Sequence, residues 1–106
     1  MQCLAYAILY IMAPADLILN RKLHLNDGRI IQIKVWRLPE RSPERPHGLK
    51  YSLFFGRPGE RIVGYDNEAG KGDHRHYGLH EEPYRFSTLE QMIRDFETDV
   101  GREMTK

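Results

Sequence analysis

The stretch that decides the fold is "KLHLNDGRIIQIKVWRL", residues 22–38. Its centre, Asn26-Asp27-Gly28, holds residue types that accept a positive φ angle in a tight turn, and apolar residues flank that centre on both sides. The pattern predicts a β-hairpin whose second strand covers residues 30–37. On one face of that strand Ile31, Ile33 and Val35 would point to the core, and the other face would carry Gln32, Lys34 and Trp36.

Three more strands are predicted downstream of the hairpin. "PERSPERPHG", residues 39–48, contains three prolines and few apolar residues, so it predicts a loop. "GRPG", residues 56–59, is typical of a turn. The segments between these breaks show alternating apolar and polar residues or are rich in residue types that favour strands. They predict strands over residues 49–55, 60–66 and 73–78.

The period of the apolar residues changes near the C-terminus. "STLEQMIRDFETDV", residues 87–100, predicts a helix, and Ser87 with Glu90 three positions later forms a capping box at its start. The polar side of this helix is expected to be solvated or to meet a partner; it carries Arg94, Asp95, Glu97 and Asp99. The apolar side carries Leu89, Met92, Ile93, Phe96 and Val100. Together these elements predict an α+β fold, an antiparallel β-meander of four to six strands with a C-terminal α-helix packed on one face.

The composition indicates one globular domain without disulfide bonds. The 106 residues are 41% hydrophobic and 29% charged, which is ordinary for this class, and Cys3 is the single cysteine. The first stretch, "MQCLAYAILYIMAP", is too short to span a bilayer and lacks a basic segment, so no membrane association is expected. Residues 1–12 are predicted to be an N-terminal extension or an added strand, and residues 13–106 a single domain, located in the cytoplasm. Exposed edge strands of a small meander also predict a homodimer.

The charge is distributed unevenly along the chain. Residues 21–62 hold ten Lys and Arg against four Asp and Glu, a net charge of +6, whereas residues 63–106 hold six against ten, a net charge of −4. This asymmetry favours a basic surface for a polyanion and a separate acidic face, and the alternative is scattered solvated charge.

"GYDNEAGKGDHRHYG", residues 64–78, gathers most of the titratable chemistry beside flexible glycines. In a strand over residues 73–78, His74 and His76 would share one face, and the other face would carry Asp73, Arg75 and Tyr77. Three interpretations of the cluster remain open. They are metal-free cleavage of RNA, a divalent metal site built from His-x-His with Asp66 or Asp73, and a purely structural or partner-binding role.

The RNA interpretation gives each residue of the cluster a role. His74 and His76 would be the acid–base pair, with Asp66 or Asp73 orienting an imidazole. The expected substrate contacts are Lys71, Arg75, Tyr77 and Asn67. This hypothesis needs no metal and no cofactor, and the sequence contains no phosphate loop, dinucleotide fingerprint or nucleophile elbow.

Other candidate residues rank lower on chemical grounds. Trp36, Tyr51, Phe54 and Phe55 can stack on nucleic-acid bases, but aromatic residues at strand period more often belong to a core. His24 and His47 are isolated in the sequence and are expected at the surface rather than in a site.

Two of the motifs above resemble the TumE family, the toxin side of bacterial type II toxin–antitoxin modules. They are "VGYDNEAGKGDHRH" and "EPYRFSTLEQMIRDFETDV", and the resemblance runs from about Ala15 to Val100. It implies a small cytoplasmic toxin that is silenced by a helix-turn-helix antitoxin encoded beside it. Many toxins of this broad kind are small α+β ribonucleases, but the resemblance itself implies a toxin more firmly than a ribonuclease, and it assigns no catalytic residues.

The leading functional hypothesis is therefore an RNA-directed toxin. One alternative is a non-catalytic toxin that binds and blocks a cellular partner, for which the same cluster would be a recognition surface. The other alternative is a metal-dependent enzyme that acts on nucleotides.

Overall fold

The computed structural model describes residues 15–106, which form one six-stranded antiparallel sheet followed by one helix. The strands lie in the sheet in their order along the chain, so the sheet is a simple meander. The predicted α+β fold is confirmed, and the extension or added strand predicted for residues 1–12 lies outside the described residues. The elements are β1 (Asp16–His24), β2 (Ile30–Arg37), β3 (Leu49–Arg57), β4 (Glu60–Asp66), β5 (His74–Tyr77), β6 (His80–Pro83) and α1 (Leu89–Met104).

The β1–β2 hairpin forms where the sequence predicted it. Strand β2 has the predicted bounds, and the turn closes with a hydrogen bond of 2.8 Å from the Leu25 amide to the Arg29 carbonyl. The Asp27 carboxylate accepts a hydrogen bond from the Arg29 amide at 3.0 Å, which holds the turn in shape. This hairpin sets the register in which Leu23 lies opposite Ile31.

The core lies between one face of the sheet and α1. Alternate residues of β2, β3 and β4 point to this face, as expected for an antiparallel sheet that is covered on one side. Three residues of α1 close the core from above, and they follow the predicted helical spacing. The buried apolar set is Ile33, Val35, Tyr51, Leu53, Phe55, Val63, Tyr65, Tyr84, Met92, Phe96 and Val100.

The start of α1 lies one residue later than the capping-box prediction, which was therefore wrong. Thr88, not Ser87, is the N-cap, and its side chain accepts a hydrogen bond of 3.1 Å from the Gln91 amide. Thr88 has an extended backbone with φ −135° and ψ 160°, so the helix begins only at Leu89. A threonine three residues before the donating amide meets the capping requirement equally well.

Asp99 was assigned to the solvated side of α1, and this assignment was wrong. Its side chain is buried, and it accepts hydrogen bonds from the hydroxyl groups of Tyr65 and Tyr77, the second at 2.8 Å. One turn earlier, Asp95 accepts a hydrogen bond of 2.6 Å from the Tyr84 hydroxyl. Burial, followed by the bond to Asp99, raises the pKa of Tyr65 well above its usual value, so this tyrosine stays protonated and continues to donate. The helix is thus fastened to the sheet by carboxylate–tyrosine bonds as well as by apolar contacts.

Among residues 15–106, no further strand pairs with the outer edges of the sheet, and no helix covers the face opposite α1. Strands β1 and β6 are the two edges, and the homodimer expected from such edges stays a prediction. Within residues 15–106, no helix has the length and apolar character needed to cross a membrane.

The buried carboxylate of Asp99 generates a stability prediction. Asp99→Asn should lower the free energy of unfolding by about 2 kcal/mol, because hydrogen bonds to a charged acceptor are replaced by weaker, partly mismatched ones. Glu97→Gln is the matched control, since it makes the same chemical change at an exposed position of the same helix. Its effect should stay below about 0.5 kcal/mol. Urea unfolding followed by circular dichroism measures both, and equal effects would show that the tyrosine bonds do not hold the helix.

Candidate functional site

His74 and His76 lie on the face of the sheet that α1 leaves uncovered. In the register of β4 and β5, Asp66 lies opposite His74 and Gly64 lies opposite His76. Tyr65 and Arg75, which lie between these pairs along β4 and β5, point to the helix side instead. The predicted alternation of the two histidines against Arg75 and Tyr77 is therefore present, and we call the uncovered side the open face.

In the His74 ring, one nitrogen carries the proton, and the other has no hydrogen-bond partner among residues 15–106. Its Nδ1 atom lies 3.0 Å from the Gly72 carbonyl oxygen. Since a carbonyl only accepts, the proton of the neutral ring lies on Nδ1. The Nε2 atom lies 3.8 Å from Glu81 Oε1, outside hydrogen-bonding distance, and the side chain is 19% exposed. The Nε2 atom of His74 therefore keeps its lone pair directed at the open face.

The His76 ring is held from both sides and is only 6% exposed. Its Nδ1 atom lies 2.9 Å from Arg61 Nη2, and its Nε2 atom lies 3.2 Å from Asp66 Oδ1. Because a guanidinium only donates, Nδ1 is the acceptor and the ring proton lies on Nε2, directed at Asp66. Arg61 also approaches the second carboxylate oxygen of Asp66 at 3.9 Å. Arg61, His76 and Asp66 thus form one connected group.

Arg61 reaches this group because of a β-bulge and a glycine. Between Phe55 and Gly56 the register with β4 shifts by one residue, so that Arg61 lies opposite Gly56. Without the bulge, strict alternation from Val63 would turn Arg61 toward the helix. Its side chain then crosses Gly64, where any Cβ atom would collide with Arg61 Cδ. The sequence alternation alone could not reveal Arg61, because the bulge reverses its face.

Arg75 and Tyr77, two of the predicted substrate contacts, lie on the helix side. Arg75 Nε donates to Glu82 Oε1 at 3.0 Å, and its guanidinium lies 5.5 Å from the centre of the Tyr77 ring. The Tyr77 hydroxyl donates to Asp99, and burial together with this bond raises its pKa. These two residues are separated by the sheet from His74 and His76.

Asp73, another predicted catalytic residue, belongs to a different group. It accepts hydrogen bonds from His47 Nε2 at 2.9 Å and from the Tyr51 hydroxyl at 2.5 Å. The other ring nitrogen of His47 accepts from the Leu49 amide at 3.1 Å, and the ring packs 4.1 Å from that of Phe86. The expectation that His47 is an isolated surface residue was therefore wrong, because sequence distance hides its contact with Asp73. This group ties the proline-rich loop to the start of β5.

The remaining predicted residues, Asn67 and Lys71, lie in the loop between β4 and β5. Asn67 is 1% exposed. Its side-chain oxygen accepts a hydrogen bond from the Tyr51 amide at 3.1 Å, and its side-chain nitrogen donates to the Leu49 carbonyl at 2.8 Å, both in β3. Its side chain is therefore committed to the sheet. Lys71 is exposed near the loop tip.

A shallow hollow adjoins Asp66 on the open face. It has a volume of about 220 Å³ and is lined by Trp36, Lys50, Tyr51, Ser52, Asp66, Asn67 and Glu68. Among residues 15–106, no group of three His, Cys, Asp or Glu side chains has the geometry of a metal site.

The fold and this face define a small α+β protein whose sheet presents a histidine pair, an arginine and a carboxylate on the side away from its helix. The family model described as "Toxin TumE" matches residues 10–104 of the chain. The chain therefore belongs to the TumE toxin family. Searches of curated proteins and of solved structures found no match.

The position of Arg61 over His76 generates a prediction about reactivity. Arg61→Ala should uncover the ring and free its Nδ1 atom, so that diethyl pyrocarbonate modifies His76 severalfold faster. Gly64→Ala should have the same effect, because the added methyl group displaces the Arg61 side chain. Gly101→Ala is the matched control, since a Cβ atom there meets nothing within 4 Å. Peptide mass spectrometry measures the modification, with exposed His80 as internal standard, and unchanged rates in both variants would contradict the described arrangement.

Proposed function

We propose that this protein is the toxin of a type II toxin–antitoxin module and that it cleaves RNA on the open face without a metal ion. The observation that carries the proposal is the pair formed by His74, with a free Nε2 atom, and Arg61, a guanidinium on the same face. Membership of the toxin family supports the first part. The second part, action on RNA, is supported by the basic residues of the open face, because Lys and Arg side chains bind phosphates.

His74 is assigned the role of general base. Its Nε2 atom takes the proton of an RNA 2′-hydroxyl group, and the 2′ oxygen then attacks the adjacent phosphorus. The Gly72 carbonyl fixes the ring by accepting from Nδ1, and Glu81 stabilises the imidazolium that forms. An imidazole suits this role because its ordinary pKa lies close to neutral pH.

Arg61 is assigned the role of phosphate contact, and His76 is assigned the role of general acid. When the Arg61 guanidinium moves onto the phosphate, it stabilises the charge of the transition state and frees Nδ1 of His76. His76 can then take up a proton while Asp66 keeps its hold on Nε2, and the Nδ1 proton goes to the departing 5′ oxygen. Residues two apart on a strand lie roughly 7 Å from each other, so His74 and His76 can flank one phosphate. The bond from phosphorus to the 2′ oxygen forms, and the bond to the 5′ oxygen breaks.

This assignment changes the substrate contacts inferred from sequence. Arg61 replaces Arg75, which lies on the helix side with Tyr77. Lys71, exposed near the loop tip, keeps its proposed role as an outer phosphate contact. Asp73 supports the site indirectly, since it fixes the start of β5 through His47 and Tyr51.

A non-catalytic toxin is the second candidate, and one observation favours it. Both nitrogens of His76 are already engaged, and the ring is 6% exposed. If Arg61 never leaves His76, the open face can recognise a partner but cannot supply a general acid.

Substitution of His74 separates these two functions. His74→Asn should slow RNA cleavage about 100-fold or more and relieve growth arrest when the toxin is expressed from a tight promoter. His80→Asn is the matched control, because His80 is an exposed histidine of the neighbouring strand β6, and it should remain toxic. Growth curves and total RNA electrophoresis give the readouts. If both variants arrest growth equally and RNA stays intact, the acid–base assignment is wrong and the non-catalytic function is favoured.

The antitoxin is assigned to an apolar groove on the helix side, between α1 and the first hairpin. The groove has a volume of about 570 Å³, and two of its apolar side chains are substantially exposed, Leu23 at 55% and Met104 at 41%. Arg21 lies at its β1 rim and Glu97 at its α1 rim. This pattern is complementary to an amphipathic helix of a helix-turn-helix antitoxin, with an acidic residue on one flank of its apolar stripe and a basic residue on the other.

A charged residue in the groove should therefore release the toxin from its antitoxin. Leu23→Asp should abolish co-purification with the product of the neighbouring helix-turn-helix gene, and toxicity should persist during co-expression. Leu17→Asp is the control, because Leu17 is 51% exposed on the same strand but does not line the groove. If the antitoxin neutralises the Leu23→Asp variant as completely as it neutralises the unmodified toxin, the antitoxin binds elsewhere.

A further inference from the structure

We propose that the open face binds single-stranded RNA by stacking two bases on Trp36 and Phe54. This inference rests on the proposed function, because it names the form of RNA that reaches His74 and His76 and the residues that hold it. It concerns a part of the sheet, strands β2 and β3, that supplies neither the proposed general base nor the proposed general acid.

The register places the two aromatic side chains on the same side as the histidines. Phe54 lies opposite Gly64 in β4, and Gly64 lies opposite His76 in β5. Trp36 lies opposite Lys50, two residues before Ser52, which pairs with Asp66. Tyr51 and Phe55, in contrast, are buried in the core. The four aromatic residues of these strands are thus divided between the two faces, and the two on the open face are not needed to fill the core.

The surroundings of both rings suit planar ligands. Trp36 lines the hollow together with Ser52 and Asp66, and it is half-buried. On the β4 side of Phe54, Gly64 contributes no side chain and the Arg61 side chain crosses this position. On the β2 side, Gln32 lies opposite Phe54. Aromatic rings on an open sheet give bases a stacking surface, and stacking accepts any base sequence.

The spacing of the rings fits a strand of RNA that passes over the site. Phe54 is four residues beyond Lys50, the cross-strand partner of Trp36, so the two rings are separated by about 13 Å along the strand direction. That distance leaves room for an intervening nucleotide. A duplex cannot use this arrangement, because its bases are already stacked and paired.

Cations lie where the phosphates of such a strand would run. Lys22, Lys34 and Lys50 project from the open face, and Arg61 lies across its centre, 3.9 Å from Asp66. The carboxylates of Asp66 and Glu81 lie on the same face. Lys50 Nζ now lies 5.5 Å from the centre of the Trp36 ring. Lys50 is exposed, so a base that stacks on Trp36 can displace its ammonium group toward a phosphate, since stacking exceeds an exposed cation–π contact.

The chain offers a direct spectroscopic test, because Trp36 is its only tryptophan. A single-stranded 2′-O-methyl RNA 10-mer, which cannot be cleaved through the 2′ oxygen, is titrated into the full chain. Binding should quench the tryptophan fluorescence, and the same oligomer in a duplex should bind about tenfold more weakly or worse. Fluorescence anisotropy of a labelled oligomer gives the affinity of variants that lack the tryptophan.

Leucine substitutions keep apolar bulk but remove the aromatic face. Trp36→Leu and Phe54→Leu should each weaken binding about tenfold, within the range measured for loss of one stacking partner, and Trp36→Phe should keep most of the affinity. Leu79→Ala is the control, since this fully exposed side chain lies at the β5–β6 turn, and it should bind as the unmodified chain does. Thermal unfolding confirms that each variant is folded.

The outcomes distinguish this inference from the proposed function. If the unmodified chain binds the single strand and the leucine variants bind equally well, stacking is wrong while RNA remains a candidate substrate. If the leucine variants lose affinity but the chain without substitutions does not cleave RNA that carries free 2′-hydroxyl groups, stacking is supported and the proposed cleavage is wrong. If the unmodified chain binds no RNA, the inference is overturned.

Discussion

The hydrogen bonds between Asp99 and the tyrosines of β4 and β5 fasten the helix to one side of the sheet, and the rest of the structure depends on this one-sided attachment. Asp99 accepts from Tyr65 and Tyr77, and Asp95 repeats the contact one turn earlier with Tyr84. A buried carboxylate is costly unless donors surround it, so these bonds fix where the helix can lie. With α1 held there, the opposite face keeps its polar and aromatic side chains in contact with solvent.

The register of the meander then assembles the open face from residues that are far apart in the sequence. Antiparallel pairing lines up Phe54, Gly64 and His76 in one row, and Ser52, Asp66 and His74 in the next. A single glycine, Gly64, lets the Arg61 side chain cross the sheet and reach His76. Base, acid and stacking surface therefore follow from one sheet geometry, because each is the outward-pointing member of an alternating strand. Arg61, the phosphate contact, joins them through the β3–β4 bulge.

Much of the fold could be predicted from periodicity, whereas contacts between distant residues could not. Alternation in "IIQIKVWR" gave the bounds of β2, and the same rule placed His74 and His76 together. Arg61 was missed because a bulge shifts the register, a change that no local pattern announces. His47 and Asp99 were assigned to the surface because their partners, Asp73 and Tyr65, lie 26 and 34 residues away. From the sequence alone, neither residue could be paired with its partner, because contacts across such distances depend on the fold.

The central claim is that imidazole groups on the open face cleave RNA without a metal ion, and the chemistry of the RNA ends tests it most directly. Purified toxin is incubated with single-stranded RNA in the presence of a chelator, and the product ends are identified by mass spectrometry. Attack by the 2′ oxygen predicts 2′,3′-cyclic phosphate and 5′-hydroxyl ends. Products with 5′-phosphate ends, or RNA that remains intact at toxin concentrations that arrest growth, would contradict the claim.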